Sequence, residues 1–190
     1  MQRIGILGGT FNPIHVGHLA MAEMAREKFS LHKIIFIPSH TPPHKKIYHL
    51  ASAQDRYEMV RCAIQSHPDF EVSDLEIKRE GKSYTVDTVK QLMAMFPKGS
   101  KLFFIVGGDS IEELHTWKNI EEIQRRATFI AVNRPGHDTH QAKIKHLSVT
   151  MPGIDISSSY VRQRLQEGKT VKYFVPNAVL EYIEKHRLYQ

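Results

Sequence analysis

Short runs of consecutive apolar residues alternate along this chain with longer segments in which apolar residues recur at helical spacing. Four runs are rich in β-branched or aromatic residues and predict strands buried on both faces. They lie at residues 4–7, 33–39, 102–106 and 128–132. Alternating apolar and polar residues at 70–77 predict a strand with one buried face, and residues 146–151 predict a last short strand.

The segments between these runs predict helices. Helices are expected from about Val16, after the capping pair Ser52 and Asp55, from the hydroxyl-rich segment 83–88 through Phe96, after Asp109 and Ser110, from about Asp155, and over 175–186. Strands that alternate with helices form right-handed crossovers with helices on both faces of the sheet. The pattern therefore predicts an α/β fold, a Rossmann-like doubly wound, mainly parallel sheet. One domain, 1–190, is expected, with a small C-terminal helical part at about 155–190.

The first strand leads into a glycine pair, Gly8-Gly9, and then into a helix. Such glycines allow a sharp turn or the close approach of a ligand. The N-terminus of the following helix carries free N–H groups and the positive end of the dipole, which favours an anion. His15 and His18 are three positions apart at this helix start, with Gly17 between them. The stretch therefore predicts a phosphate site with two imidazole donors.

A second glycine pair, Gly107-Gly108, follows another buried strand and precedes Asp109. The carboxyl ends of parallel strands form one crevice, so both glycine pairs are expected at one site. The Asp109 carboxylate could accept hydrogen bonds from ribose hydroxyls or hold Mg²⁺ through water, and the alternative is a simple helix cap.

Two further features carry a structural and a functional interpretation each. The hydroxyl row 157–159 with Arg162 one turn on suits a polyphosphate, but could also be only an N-cap. Trp117, the single tryptophan, could be a partly buried anchor or a platform for a flat ring.

Composition narrows the class of ligand. A net charge of +6 suits a polyanion, but the basic residues are dispersed, so a phosphorylated small molecule is favoured over nucleic acid. No apolar run is long enough for a membrane span, and the single Cys62 fits a reducing compartment, so we expect a cytoplasmic protein with no membrane partner. The histidine spacing predicts no protein-bound metal. A homo-oligomer is compatible with the sequence.

The segments GGTFNPIHVGH and ISSSYVR resemble the two signatures of the nucleotidyltransferases that carry the (T/H)xGH motif. Within that superfamily the chain is most similar to the bacterial nicotinate mononucleotide adenylyltransferases, and the resemblance runs essentially from end to end. Further segments match in order: PSHTPPHK, KSYTVDT, GGDSIEELHTWKNIEEI, VNRPG and YIEKHRLY.

The resemblance implies a reaction in which ATP and nicotinate mononucleotide give nicotinate adenine dinucleotide and pyrophosphate, in NAD biosynthesis. It implies Mg²⁺ bound with ATP, mainly through the phosphates. The implied catalytic residues are His15, His18 and Arg162. The implied ATP-binding residues are Gly8, Gly9, Thr10, Phe11, His15, His18, Gly107, Asp109, Arg134, Ser157, Ser158 and Arg162, and those for nicotinate mononucleotide are Lys45, Tyr84, Thr85 and Trp117.

Two alternatives stay open at this point. One is an adenylyl- or cytidylyltransferase that uses the same phosphate machinery on another acceptor, such as nicotinamide mononucleotide or phosphopantetheine. The other is a nucleotide-binding sensor that does not turn over. Acceptor choice would depend on Thr85 and Trp117, whereas both intact histidines argue for catalysis.

Overall fold

The fold is built on a single six-stranded sheet. The computed structural model describes residues 1–41, 49–134 and 143–190, apart from the side chain of Asp109. The strands are β1 (Arg3–Gly9), β2 (Lys33–Pro38), β3 (Phe70–Val72), β4 (Lys101–Gly107), β5 (Ala127–Asn133) and β6 (His146–Thr150). The helices are α1 (Val16–Lys28), α2 (Ala53–Ile64), α3 (Leu75–Arg79), α4 (Thr85–Met95), α5 (Gly108–Ile111), α6 (Ile120–Arg126), α7 (Ser158–Gln166) and α8 (Asn177–Lys185).

The strand order is β3-β2-β1-β4-β5-β6, and every neighbouring pair is parallel. The chain therefore starts in the middle of the sheet, builds outward on one side, and returns to add β4 next to β1. Between β1 and β4 the direction of strand addition reverses, and ligands of open α/β sheets bind beyond the carboxyl ends of such strands. The predicted Rossmann-like fold is confirmed, and it fixes where a site should lie.

Alternate residues of the strands pack into two apolar layers, one on each face of the sheet. Ile4 and Ile6 of β1 face the layer that includes α4 and α6, whereas Leu7 faces α1, α2, α7 and α8. Gly5 leaves room for the neighbouring layer, because an added Cβ would collide with Ile34 and lie 2.9 Å from Leu31. Within the described ranges, no helix is long and apolar enough to cross a bilayer.

Two predicted elements are different in the structure. The strand expected over 70–77 ends at Val72, and α3 follows instead. Ser73 begins the change, because its Oγ accepts a hydrogen bond from the Leu75 N–H at 3.3 Å. The helix expected after Gly107 is only the four-residue α5 with a 3-10 turn beyond it. Ile111 and Leu114 are both fully buried, and the tighter winding brings residues three apart onto the same core.

Candidate active site

A cavity of about 590 Å³ opens at the carboxyl edge of the sheet, around the ends of β1 and β4. That volume is in the usual range for a small-molecule site. Its lining includes all the sequence-predicted residues whose side chains the structure describes. These are Gly8, Gly9, Thr10, Phe11, His15, His18, Tyr84, Thr85, Gly107, Trp117, Arg134, Ser157, Ser158 and Arg162.

The first glycine pair acts differently from the prediction. Gly8 and Gly9 still belong to β1, and the turn occurs at Phe11, whose φ is 48°. A Cβ on Gly9 would lie 3.0 Å from the Phe11 ring, so this glycine makes room for the protein's own aromatic side chain. Gly107 fits the original expectation better. Among the described atoms, none lies within 4 Å of its hypothetical Cβ, which leaves space for a ligand.

His15 and His18 form a stacked pair at the start of α1. His15 is the N-cap residue, and its backbone N–H donates to Nδ1 of His18 at 3.2 Å. The ring centroids are 3.7 Å apart, and Phe11 packs edge-on against His18 at 5.1 Å. Because Nδ1 of His18 accepts this hydrogen bond, the proton of the neutral ring is on Nε2. His18 is therefore held as a donor through Nε2.

Burial keeps both imidazoles uncharged near neutral pH. It lowers the pKa of His15 to about 4, with the positive charge of Arg134 acting in the same direction. Burial also lowers the pKa of His18 well below its ordinary value, helped by His15. Gly17 lies against the His15 ring, where an added Cβ would be 3.1 Å from Nδ1. The pair therefore has the properties of fixed neutral hydrogen-bond donors.

The start of α7 closes the same site from the opposite end of the sequence. Ser157 caps α7 by accepting from the Tyr160 N–H at 3.1 Å, and Ser158 Oγ donates to the Pro13 carbonyl at 2.8 Å. Arg162 Nη1 donates to the Asn12 carbonyl at 2.8 Å. The hydroxyl row therefore caps α7 and also bonds the start of α7 to the loop that follows β1. The N-termini of α1 and α7 therefore line the same cavity, an arrangement that suits an anion.

The other end of the cavity has an aromatic wall. Trp117 is half-buried and packs edge-on against Phe104 and Phe129, with centroid distances of 5.7 and 6.2 Å. Tyr84 is the N-cap of α4, but its side chain makes no capping hydrogen bond. The Lys118 ammonium lies 4.3 Å from the centre of the Tyr84 ring. A flat ring with a negative substituent suits this combination of aromatic surface, free helix N–H groups and a cation.

Arg134 also lines this cavity. Its guanidinium donates to the exposed Asp155 carboxylate at 2.8 Å, and its charge reaches His15. The sequence places it in the adenosine pocket, and the structure also brings it close to the phosphate end. The Asp109 side chain and Lys45 lie outside the described part of the chain, so their predicted roles stay predictions.

Several cavity residues were missed by the sequence analysis, including Ser39, Glu76, Ser83 and Lys118. Ser39 directly follows β2, and its buried hydroxyl has no hydrogen-bond partner among the described residues. The strand-end rule that selected the glycine pairs could have found it. Glu76 was hidden because its segment was predicted as a strand. It is buried and accepts from Thr88 Oγ1 at 2.5 Å, and burial raises the pKa of its carboxyl.

Comparison with known proteins decides the family. A family model described as cytidylyltransferase-like matches residues 6–164. A Thermus thermophilus protein named "probable nicotinate-nucleotide adenylyltransferase" is 45% identical over 189 residues, which cover 100% of both chains. A Desulfitobacterium hafniense protein of the same name is 44% identical over 200 residues, covering 100% of this chain and 96% of the relative.

The chain belongs to the nicotinate-nucleotide adenylyltransferase family. The resemblance found in the sequence and the predicted enzyme class, a nucleotidyltransferase, are thereby confirmed. The Plasmodium falciparum nicotinic acid mononucleotide adenylyltransferase complexed with NaAD has a TM-score of 0.81 and 22% identity, and the match covers 100% of this chain and 98% of the other. That similarity confirms the adenylyltransferase fold.

Proposed function

We propose that this protein transfers the adenylyl group of ATP to nicotinate mononucleotide, giving nicotinate adenine dinucleotide and pyrophosphate, a step of NAD biosynthesis. One observation carries the proposal. A single cavity joins an anion site, built by the His15–His18 pair and the start of α7, to an aromatic pocket at the start of α4. Membership of the adenylyltransferase family supports the same reaction.

The proposed chemistry needs no general base. A phosphate oxygen of the mononucleotide is already ionised at pH 7, because the second pKa of a phosphate monoester is about 6. This oxygen forms a bond to the α-phosphorus of ATP, while the bond from that phosphorus to the bridging oxygen breaks and pyrophosphate leaves. The work left to the protein is positioning and stabilisation of negative charge. Neutral imidazoles with low pKa values are suited to this work and unsuited to proton abstraction.

Each group at the anion site then has a defined task. His15 and His18 donate N–H hydrogen bonds to the ATP phosphates, and the end of β1 (Gly8, Gly9) with the loop after it (Thr10, Phe11) lies beside them. Ser157, Ser158 and Arg162 hold the leaving pyrophosphate, while Gly107, Asp109 and Arg134 line the adenosine side. Donors fixed before the reaction stabilise developing charge without further reorganisation.

Mg²⁺ is proposed to enter with ATP. Among the described residues, no group of three carboxylate, imidazole or thiol side chains could hold a metal ion. Mg²⁺ usually keeps several waters and binds through substrate phosphates, so the site fits an ion carried by the nucleotide. When bound, it neutralises part of the phosphate charge.

The acceptor is proposed to bind at the start of α4. Trp117 stacks on the nicotinate ring. The carboxylate of that ring accepts hydrogen bonds from the N–H and the hydroxyl of Thr85, near Tyr84 and the charge of Lys118. Lys45 is proposed to contact the same substrate. This arrangement favours an anionic nicotinate over a neutral nicotinamide.

Three broader proposals accompany this function. Residues 1–190 act as one domain with a helical part at about 155–190, and the protein works in the cytoplasm. A homo-oligomer stays a prediction, which sedimentation equilibrium would test.

The function is tested by mass analysis of the products formed from ATP and Mg²⁺ with nicotinate mononucleotide, nicotinamide mononucleotide or phosphopantetheine. The proposal expects nicotinate adenine dinucleotide and pyrophosphate in equal amounts from the first mixture. Turnover confined to another acceptor would favour the first alternative enzyme. Nucleotide binding with no product from any mixture would favour a sensor.

A further inference from the structure

Tyr189 lies beyond α8, yet it contacts the loop that follows β1. It is 7% exposed, and its hydroxyl donates to Asn12 Oδ1 at 2.7 Å. Asn12 lies between Phe11 and Pro13 in the phosphate-binding segment. This hydrogen bond joins residues that are 177 positions apart. The segment YIEKHRLY therefore ends on the candidate active site.

Asn12 makes further hydrogen bonds to three other residues. Its Oδ1 also accepts from the Ala51 N–H at 3.0 Å, and its Nδ2 donates to the His49 carbonyl at 3.2 Å. Its own backbone carbonyl accepts from Arg162 Nη1 at 2.8 Å. A small shift of Asn12 would therefore move the loop and the guanidinium of Arg162 together.

The surroundings of Tyr189 keep its phenol as a donor. Burial raises the pKa of the hydroxyl far above its ordinary value, and the charge of Asp55 acts in the same direction. The nearby charges of Arg162 and Arg56 oppose this shift without cancelling it. Arg56, which is fully buried, holds the neighbouring Thr10 carbonyl at 2.8 Å. Tyr189 and Arg56 thus hydrogen-bond to two nearby positions of the same loop, Asn12 and Thr10.

We infer that Tyr189 is a positioning residue for adenylyl transfer, which acts through Asn12 to fix the phosphate loop and Arg162. The inference rests on the proposed function. The role of Tyr189 is geometric, because its hydroxyl contacts Asn12 and Tyr189 is not among the residues that line the cavity.

The test compares Tyr189→Phe with a matched control, Tyr182→Phe. Tyr182 lies on α8, and its hydroxyl donates to Asp55 Oδ1 at 3.0 Å, so the control also loses one hydrogen bond of the helical part. Tyr189→Phe should lower kcat by about tenfold, because the loop and Arg162 lose a positioning hydrogen bond of ordinary strength, with the KM for nicotinate mononucleotide changed by less than about twofold. Tyr182→Phe should leave kcat unchanged.

A double-mutant cycle with Arg162→Lys checks the route. If Tyr189 acts through Asn12 on Arg162, Tyr189→Phe should have much less effect when Arg162 is already replaced. An unchanged kcat in Tyr189→Phe, an equal loss in Tyr182→Phe, or fully additive effects would each overturn the inference.

Failure of the proposed function itself gives a different result, because the wild-type protein would then form no dinucleotide. The same variants are then compared by calorimetry for their affinity for a non-hydrolysable ATP analogue. Weaker binding in Tyr189→Phe alone supports its action on the phosphate loop. Equal affinity in the wild type and both variants rejects it.

Discussion

At the residue scale, the two imidazoles at the start of α1 are held in one protonation state by their surroundings. His18 accepts the backbone N–H of His15 through Nδ1, and the two rings stack on each other. Burial lowers both pKa values, so at pH 7 both rings are neutral and each keeps one N–H. What the pair offers to a triphosphate is directed N–H groups.

Replacement of His18 by alanine should therefore reduce kcat by roughly 10²–10³, the usual cost of one fixed donor at a developing charge. The fold should persist, because the ring borders an open cavity. Steady-state kinetics with a parallel circular dichroism spectrum would measure both. His186→Ala, at an exposed position that does not line the cavity, is the control. A near-normal rate for His18→Ala would remove this pair from the mechanism.

The low pKa of His15 also predicts how stability depends on pH. In the unfolded chain this group titrates near 6.5, whereas in the folded protein its pKa is about 4. Between these values the unfolded state binds more protons, so the free energy of unfolding falls as the pH falls through this window. The contribution of His15 to the free energy of unfolding is complete above about pH 6.5.

His15→Gln should remove this contribution. Urea unfolding at pH 7 and pH 4.5 should show a smaller loss of stability on acidification than in the wild type, by on the order of 1–3 kcal/mol. An identical loss in both proteins would mean that His15 titrates normally.

Trp117→Ala should raise the KM for nicotinate mononucleotide by about tenfold, since base-type stacking contributes about 1–3 kcal/mol. The KM for ATP should change little. Trp117→Phe keeps a ring that can still contact Phe104 and Phe129, and should recover part of the loss. Equal effects on both substrates would indicate a tryptophan that is only structural.

At the element scale, we propose that the start of α4 distinguishes an acid from an amide. Tyr84, the N-cap, contributes no side-chain cap, and the Thr85 N–H has no hydrogen-bond partner among the described residues. A carboxylate can accept from such a helix start and gains from the dipole.

Thr85→Pro tests this element directly. Proline is well tolerated at the first helical position, and Tyr84 already has an extended backbone with φ −96° and ψ 127°. The substitution should lower kcat/KM for nicotinate mononucleotide by about tenfold and reduce the preference over the nicotinamide form. Thr85→Val removes the hydroxyl but keeps the N–H, so it should retain most of that preference. If the valine variant loses as much preference as the proline variant, the N–H is not the determinant.

The elements also show where sequence reasoning works. Gly8 and Gly107, at the ends of β1 and β4, were found because parallel strands end at one edge, whereas Arg134 was implied by the resemblance alone; all three line the cavity. The alternation at 70–77 gave a wrong element, since a single Ser73 hydrogen bond starts a helix within an apparently regular pattern. With that error, Glu76 could not be recognised as part of the site.

At the scale of the whole molecule, the contacts that assemble the site join distant parts of the chain. Ser158 reaches Pro13, Arg162 reaches Asn12, and Tyr189 reaches Asn12. The resemblance implied that the hydroxyl row and the first loop bind one ligand, but no sequence pattern indicated that they bond to each other. Arg56 gave no signal either, because its three carbonyl partners are known only from the fold.

The same architecture explains why one cavity can take two substrates. The reversal of strand order between β1 and β4 places the anion site and the aromatic pocket on the same sheet edge. In the proposed reaction, this arrangement brings both phosphates to one place, and the charge on the acceptor ring selects the acceptor.

The most direct test of this account is the kcat/KM of the wild-type protein for nicotinate mononucleotide and for nicotinamide mononucleotide, at the same concentration of ATP and Mg²⁺. The account predicts dinucleotide formation with a preference of about tenfold or more for the nicotinate form, because a charged acceptor gains more from the start of α4 than a neutral one. Equal efficiency with both, or no dinucleotide from either, would contradict it.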